Sequence, residues 1–201
     1  MTLLLQTIEH SIDESPDCIT TAATPAVAFQ NLAGIHLRPA TLADLENINV
    51  VVAAAMRSWR LSERVIRLSL PLYRYAGEDL RHQQLLLAES ETGNVVGVVA
   101  LEAADAAETT GVRKPALLHG IYVDPAWQHM GVGSFLLDHA EHIARSGGYD
   151  GMLVKANPES IGFFETRNYQ QLSVGDPARD YPYRFWKPLQ QDHWPPLTTR
   201  E

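Results

Sequence analysis

Two glycines and a histidine supply the first chemistry. Gly131 and Gly133 stand just after an apolar run that stops at Asp124-Pro125. Beyond them Val132, Phe135, Leu136, Ala140, Ile143 and Ala144 recur at helical spacing. The pattern predicts a helix that begins near Gly131, holds both glycines in its first turn, and stops at Gly147-Gly148. Glycine weakens a helix. At a helix start, however, the amide N–H groups lack intrahelical partners and carry partial positive charge. Without a Cβ in the way, a phosphate can reach those amides. A tight strand-to-helix turn with no ligand explains the glycines equally well. The dinucleotide fingerprint is excluded, because Leu136 stands where its third glycine belongs, and no Gly-Lys-Ser/Thr ending of a P-loop follows.

The histidine is His119, three residues before Tyr122 on the same apolar run. A free imidazole titrates near ~6.5 and accepts a proton readily at neutral pH. Glu102, at the end of an earlier strand, is a second candidate base, acting through a water. His139 and His142 flank Glu141 at helical spacing, which reads as a solvated helix face, and no metal site is expected.

These residues need a scaffold. A short strand is expected at Ile35-His36-Leu37-Arg38-Pro39, then a helix capped by Thr41 with Asp44 at its positive end, running through Ile48, Val51, Val52 and Ala55. A second helical segment spans Ser62 to Leu70 and is interrupted by Pro71, and a third lies near Glu78 to Gln84. Leu85–Ser90 and Val95–Glu102 form a hairpin around a turn. The next strand, Ala116 to Val123, contains Gly120, the mark of a bulge or a close backbone approach. After the glycine-led helix come a strand from Gly151, a helix from Pro158, and strands at Tyr169–Val174 and Tyr183–Leu189. The order implies a mixed α/β (α+β) domain, its sheet mostly antiparallel and flanked by helices.

Size and composition set the outer limits. The chain has 201 residues, 45% of them hydrophobic, enough for one sizeable core and one domain. A net charge of −8 argues against a nucleic-acid surface. The single cysteine, Cys18, permits no intrachain disulfide. The first residues lack the basic segment of a signal peptide, and no apolar run approaches a membrane span. The expectation is a cytoplasmic protein, a monomer or homodimer, with residues 1–33 as an extension, 34–189 as the domain and 190–201 as a tail.

The wider pattern resembles a known superfamily. Gln128-His129-Met130-Gly131-Val132-Gly133 matches the Q/R-x-x-G-x-G/A pattern of the GNAT N-acetyltransferases. Ile121 to Pro125 resembles the strand and junction before that motif, and Asn157, Phe163-Phe164-Glu165 and Tyr169 resemble its N…F-Y-E…G-F segment. The likeness covers about Gly34 to Leu189. It implies a fold whose central strands splay at an acetyl-CoA cleft. The pyrophosphate would rest on the amides from Gln128, His129, Met130, Gly131, Val132 and Gly133 to Ser134. The pantetheine would pair like an added strand with Ile121 and Val123, beside Tyr122, with Asn157 and Phe164 next to it. A bulge at Gly120 would free those backbone groups. His119 aligns with a catalytic histidine of the arylalkylamine N-acetyltransferases, whose strand similarly reads L-H-x-hydrophobic-x-V.

The implied reaction is acetyl transfer to a primary amine, a small molecule in the first reading. An alkylammonium of pKa about 10.4 is neutral in roughly one molecule per thousand near pH 7.4, an obstacle of about 4 kcal/mol that a base lowers. Where many relatives carry a tyrosine acid, this chain has Phe164. The acid is then elsewhere, at Tyr122 or Tyr169, or the thiolate leaves unassisted, or the protein is an acyl-CoA-binding regulatory module with little turnover. Acylation of proteins or peptides is a further alternative. Trp59, Tyr73 and Tyr75 lie where such proteins often shape the acceptor pocket, with packing against the sheet as the equal alternative, and the loop leading into the strand-like run from Tyr181 to Trp186 is a further candidate to border it.

Overall fold

The computed structural model describes residues 32–104, 114–175 and 181–189. Most of the expected extension, including Cys18, and the tail lie outside those residues. Seven strands form one sheet: β1 (Ile35–Pro39), β2 (Gln84–Ser90), β3 (Val95–Ala103), β4 (Pro115–Val123), β5 (Gly151–Lys155), β6 (Gln170–Gln171) and β7 (Arg184–Pro188). Their order is β1-β2-β3-β4-β5-β7-β6. All neighbours run antiparallel except β4 and β5. That parallel pair needs a crossover, which α4 (Val132–Ser146) supplies.

The sheet is covered on both faces, and β3 shows why its sequence is an unbroken apolar run. Val96, Val99 and Leu101 join the cluster beneath α4, while Val98 and Ala100 join the one beneath α1 (Leu45–Arg57). Leu136 and Phe185 are fully buried on the α4 side, and Leu87 and Met56 on the other. Each such side chain contributes about 1.5–3 kcal/mol by leaving water. On the α4 side a charge is buried with them. Glu141 of α4 accepts from Lys187 of β7 at 2.8 Å, from Arg145 at 2.9 Å and from the Tyr169 hydroxyl at 3.1 Å. The hydrogen bonds offset the cost of dehydrating that carboxylate.

Thr41 is the expected N-cap and with Asp44 forms a capping box, on a 3-10 turn that leads into α1. Asp44 also takes two hydrogen bonds from Arg38 at 2.8 Å, tying β1 to the helix start. Two expectations about element length need correction. α2 (Glu63–Tyr73) continues through Pro71 instead of breaking there. Pro71 falls in the last turn of an exposed helix, where only one backbone bond is lost before the helix ends. The strand expected over Tyr169–Val174 shrinks to β6, because the regular ladder with β7 covers only Gln170 and Gln171. The helix expected from Pro158 is a 3-10 turn followed by α5 (Ile161–Thr166), and α3 is short (Asp79–His82). Among the described residues no helix is long and apolar enough to cross a membrane.

Candidate active site

The parallel pair opens into a cleft. β4 and β5 stay paired from Pro115↔Gly151 to Leu118↔Val154 and then part. β4 continues along β3, while β5 continues along β7. The space between is lined by residues from Leu118 to Tyr122 on one side and from Val154 to Asn157 on the other, with Ser160, Phe164 and Tyr181 behind. Trp59 and Tyr73, from the α1–α2 region, close the remaining wall. Lys155 and Ser160 carried no sequence motif; their proximity follows only from the path of the chain after β5.

The register places a bulge at the point where the strands part. Ala100 pairs with Gly120 and Leu101 with Leu118, so the residue without a partner is His119. The sequence expectation put the bulge at Gly120, one position away. Gly120 stays paired, and its missing side chain has another use. A Cβ there would stand 2.6 Å from both the Tyr75 hydroxyl and the Tyr122 ring. The bulge turns His119 into the cleft, where its side chain is exposed and its ring centroid lies 6.2 Å from that of Tyr75.

Beyond the bulge, β4 has one free edge. The Asp124 N–H donates to Val96 O at 2.9 Å. Antiparallel pairs alternate, so this bond sets the phase, and the backbone groups of Ile121 and Val123 point away from β3 toward the vacated edge. The Val123 carbonyl accepts from the Gln128 side chain at 3.1 Å. This contact seats Gln128 at the foot of the next loop.

That loop ends in a sharp left-handed turn at the start of α4. Gly131 is the N-cap of α4 at φ 89°, the left-handed region, and His129 also has positive φ, at 61°. The N–H groups of Val132, Gly133 and Ser134 lie in the first turn and lack intrahelical acceptors. α1, α2 and α3 each carry an acidic residue in their first turn, whereas α4 carries none. A Cβ on Gly133 would meet only ordinary contacts at 3.7 Å, from Phe163 and Val123. Packing does not demand glycine at 133, so its absence of bulk keeps the amides approachable.

The other expected residues fall at mixed distances from this centre. Asn157 lines the cleft, but its Oδ1 caps the turn ahead by accepting from Glu159 N at 2.9 Å. Its Nδ2 is the atom left to face a ligand. Phe164 is buried, edge-on to Phe163 and Tyr169. Tyr122 is buried against Trp59 and Tyr75, and burial holds its phenol above the usual range. Glu102 sits on β3 opposite Leu117 and is not among the residues lining the cleft. Tyr169 is also outside it: its hydroxyl donates to Glu141 in the core, and burial first, then the Glu141 charge, raise its pKa. Tyr169 is therefore not placed to act as the acid. His139 is buried rather than solvated, with Nδ1 2.7 Å from Phe135 O, and burial lowers its pKa. Among the described residues no group of three His, Cys, Asp or Glu side chains could hold a metal.

A model of the acetyltransferase (GNAT) family matches residues 53–169, and the chain belongs to that family of acyltransferases. No curated protein matches the chain in sequence. Solved structures share the fold. PaiA N-acetyltransferase from Thermoplasma acidophilum, in complex with coenzyme A, is 18% identical with a TM-score of 0.61, over 77% of this chain and 98% of that one. A GNAT family acetyltransferase from Brucella melitensis, in complex with acetyl-CoA, is 18% identical with a TM-score of 0.52, over 78% and 88%. The ribosomal-protein-S18-alanine N-acetyltransferase from Escherichia coli is 16% identical with a TM-score of 0.51, over 77% and 94%.

Proposed function

We propose that this protein moves the acetyl group of acetyl-CoA to the primary amine of a small molecule. The observation that carries the proposal is one continuous track: the first-turn amides of α4, the edge of β4 turned away from β3 at Ile121 and the Val123 N–H, and the imidazole of His119 at its end. The pyrophosphate fits the amides of Val132 to Ser134, where Gly133 leaves room and no acidic side chain competes. The pantetheine arm fits the β4 edge as an added strand, and the Asn157 Nδ2 offers it a donor.

The chemistry follows from that placement. The amine nitrogen adds to the thioester carbon, and the C–N bond forms as the C–S bond breaks, its electron pair leaving with sulfur. The amine must shed protons, and His119 is positioned in the cleft to accept one. The Ile121 N–H, facing the vacated edge, is a donor for the negative charge that develops on oxygen.

The walls favour a small acceptor. Trp59 and Tyr73 stand edge to face at 5.8 Å, and Tyr181 closes the far side. A folded protein surface could not enter without moving them. One feature supports a second reading, a module that binds acyl-CoA with little turnover: Phe164, which has no proton to give.

Calorimetry with CoA, followed by turnover of acetyl-CoA over a panel of small amines and basic peptides, tests these readings together. Binding with turnover on small amines supports the proposal. Binding without turnover supports the module, and turnover on peptides alone redirects the acceptor. His119→Ala is expected to lower kcat by about 10²-fold or more and to change the pH profile. An unaltered profile removes His119 from the role.

A further inference from the structure

Directly behind the cleft wall formed by Gly120 and Tyr122 lies a polar group that the track above does not use. Tyr75 follows α2, and its backbone is fixed from 26 residues away. The Asn49 Nδ2 donates to Tyr75 O, and the Tyr75 N–H donates to Asn49 Oδ1, both at 2.8 Å. Asn49 and Tyr75 are both buried. The side chain so directed runs to β4, packs across Tyr122 at 6.4 Å, and ends against Gly120. Its hydroxyl occupies the space a Cβ on Gly120 would take, beside the bulged His119.

That hydroxyl is enclosed and has no hydrogen-bond partner among the described residues. A buried phenol oxygen without a partner is costly, and phenylalanine would fill the same volume without the cost. The chain nevertheless holds the group there with two buried hydrogen bonds and a glycine. The hydroxyls of Tyr169 and Tyr181 have other duties, to Glu141 and to Ala156 O. Phe164 has none to offer. Burial, and then the nearby Tyr122, Asp79 and Glu102, raise the Tyr75 pKa well above the usual phenol range. The O–H therefore stays intact at neutral pH.

We propose that the Tyr75 hydroxyl is a hydrogen-bond donor to the acetyl thioester at the Gly120 bulge, stabilising from the α1–α2 side the negative charge that grows there as the amine adds. It donates a hydrogen bond and keeps its proton. The departing thiolate is protonated by solvent, and the amine proton goes to His119. This proposal rests on the acetyl-transfer reading above and adds to it a residue that motif matching does not reach.

Two measurements test it. In the first, acetyl-CoA is added to protein labelled with 13C at the tyrosine Cζ positions, the Tyr75 signal being assigned by its loss in Tyr75→Phe. A shift of that signal on binding is expected; a signal that stays in place while calorimetry reports binding overturns the proposal and leaves the acetyl-transfer reading standing. In the second, Tyr75→Phe is compared with the unaltered protein. The melting temperature should hold or rise, CoA affinity should stay within twofold, and kcat should fall 10- to 100-fold. A kcat within twofold of the unaltered protein overturns the proposal. Failure of the unaltered protein to bind acetyl-CoA overturns both the proposal and the reading beneath it.

Discussion

The main-chain N–H of Arg60 donates to the carboxylate of Glu159, 2.8 Å away, joining segments 99 residues apart. Arg60 follows Trp59 and Glu159 precedes Ser160, and those neighbours line opposite walls of the cleft. The bond therefore ties together the two segments that carry these lining residues, next to the Trp59 ring that stacks on Tyr122. The Arg60 side chain adds little, because it is 94% exposed and lies 4.0 Å from the carboxylate.

Glu159→Ala removes this clamp without touching the α4 loop. A single hydrogen bond of about 1 kcal/mol corresponds to about fivefold in an equilibrium. The KM for the amine is expected to rise by about that factor, with CoA affinity unchanged. Steady-state kinetics in both substrates and CoA calorimetry check the outcome. A fall in CoA affinity would show that the clamp serves the other half of the cleft.

The two loop glycines should respond differently from each other. Gly131 holds φ 89°, so Gly131→Ala strains the backbone by about 1–2 kcal/mol and should lower both melting temperature and CoA affinity. Gly133 is already helical, and a Cβ there would meet only ordinary contacts. Gly133→Leu should keep or raise the melting temperature, since leucine suits a helix better by several tenths of a kcal/mol. It should nevertheless weaken CoA binding at least about tenfold by blocking the amides. Unaltered CoA binding in Gly133→Leu would move the pyrophosphate elsewhere.

Local signals account for what the sequence revealed. The β2–β3 hairpin, the Thr41 cap and the start of α4 each depend on residues a few positions apart, and each stands where expected. The loop glycines were legible for the same reason. The errors involve distant partners. The unpaired residue at the bulge is set by β3 across the ladder, so sequence reading placed it at Gly120 rather than His119. Whether Tyr169 or Glu102 reaches the cleft depends on which face each strand or turn presents once packed. Tyr75 was visible only as one of three aromatics in the early helical region. Its fixed direction comes from Asn49, and no pattern around either residue signals that pairing.

Glu141 gives a stability prediction away from the cleft. Its carboxylate is buried with Lys187, whose Nζ lies 2.8 Å from both oxygens, and Arg145 and Tyr169 complete the set. Glu141→Ala leaves a half-buried ammonium without its counter-charge. The expected loss is about 3–5 kcal/mol, read from urea unfolding. The double variant Glu141→Leu with Lys187→Met removes both charges and should recover most of that loss. A single variant that unfolds like the unaltered protein would show that water already supplies the missing partner.

Asp44 gives the pH dependence. Its carboxyl titrates well below the ordinary range, chiefly because Arg38 donates to it, with burial opposing and the Thr41 hydroxyl and N–H assisting. Folding lowers this pKa, so the ionised form is favoured in the native state. The resulting stability is fully present above the unfolded value, near ~3.9, and is lost as pH falls through the folded one. Arg38 is part-exposed, so the ion pair counts for less than its geometry suggests, and Asp44→Asn should cost about 1–2 kcal/mol at pH 7, cap included. The gap between the two proteins should stay constant from pH 7 to about pH 5 and narrow below about pH 4. Urea unfolding at several pH values measures it. A gap that widened on acidification would mean that the carboxyl is held protonated in the fold, against the two Arg38 hydrogen bonds.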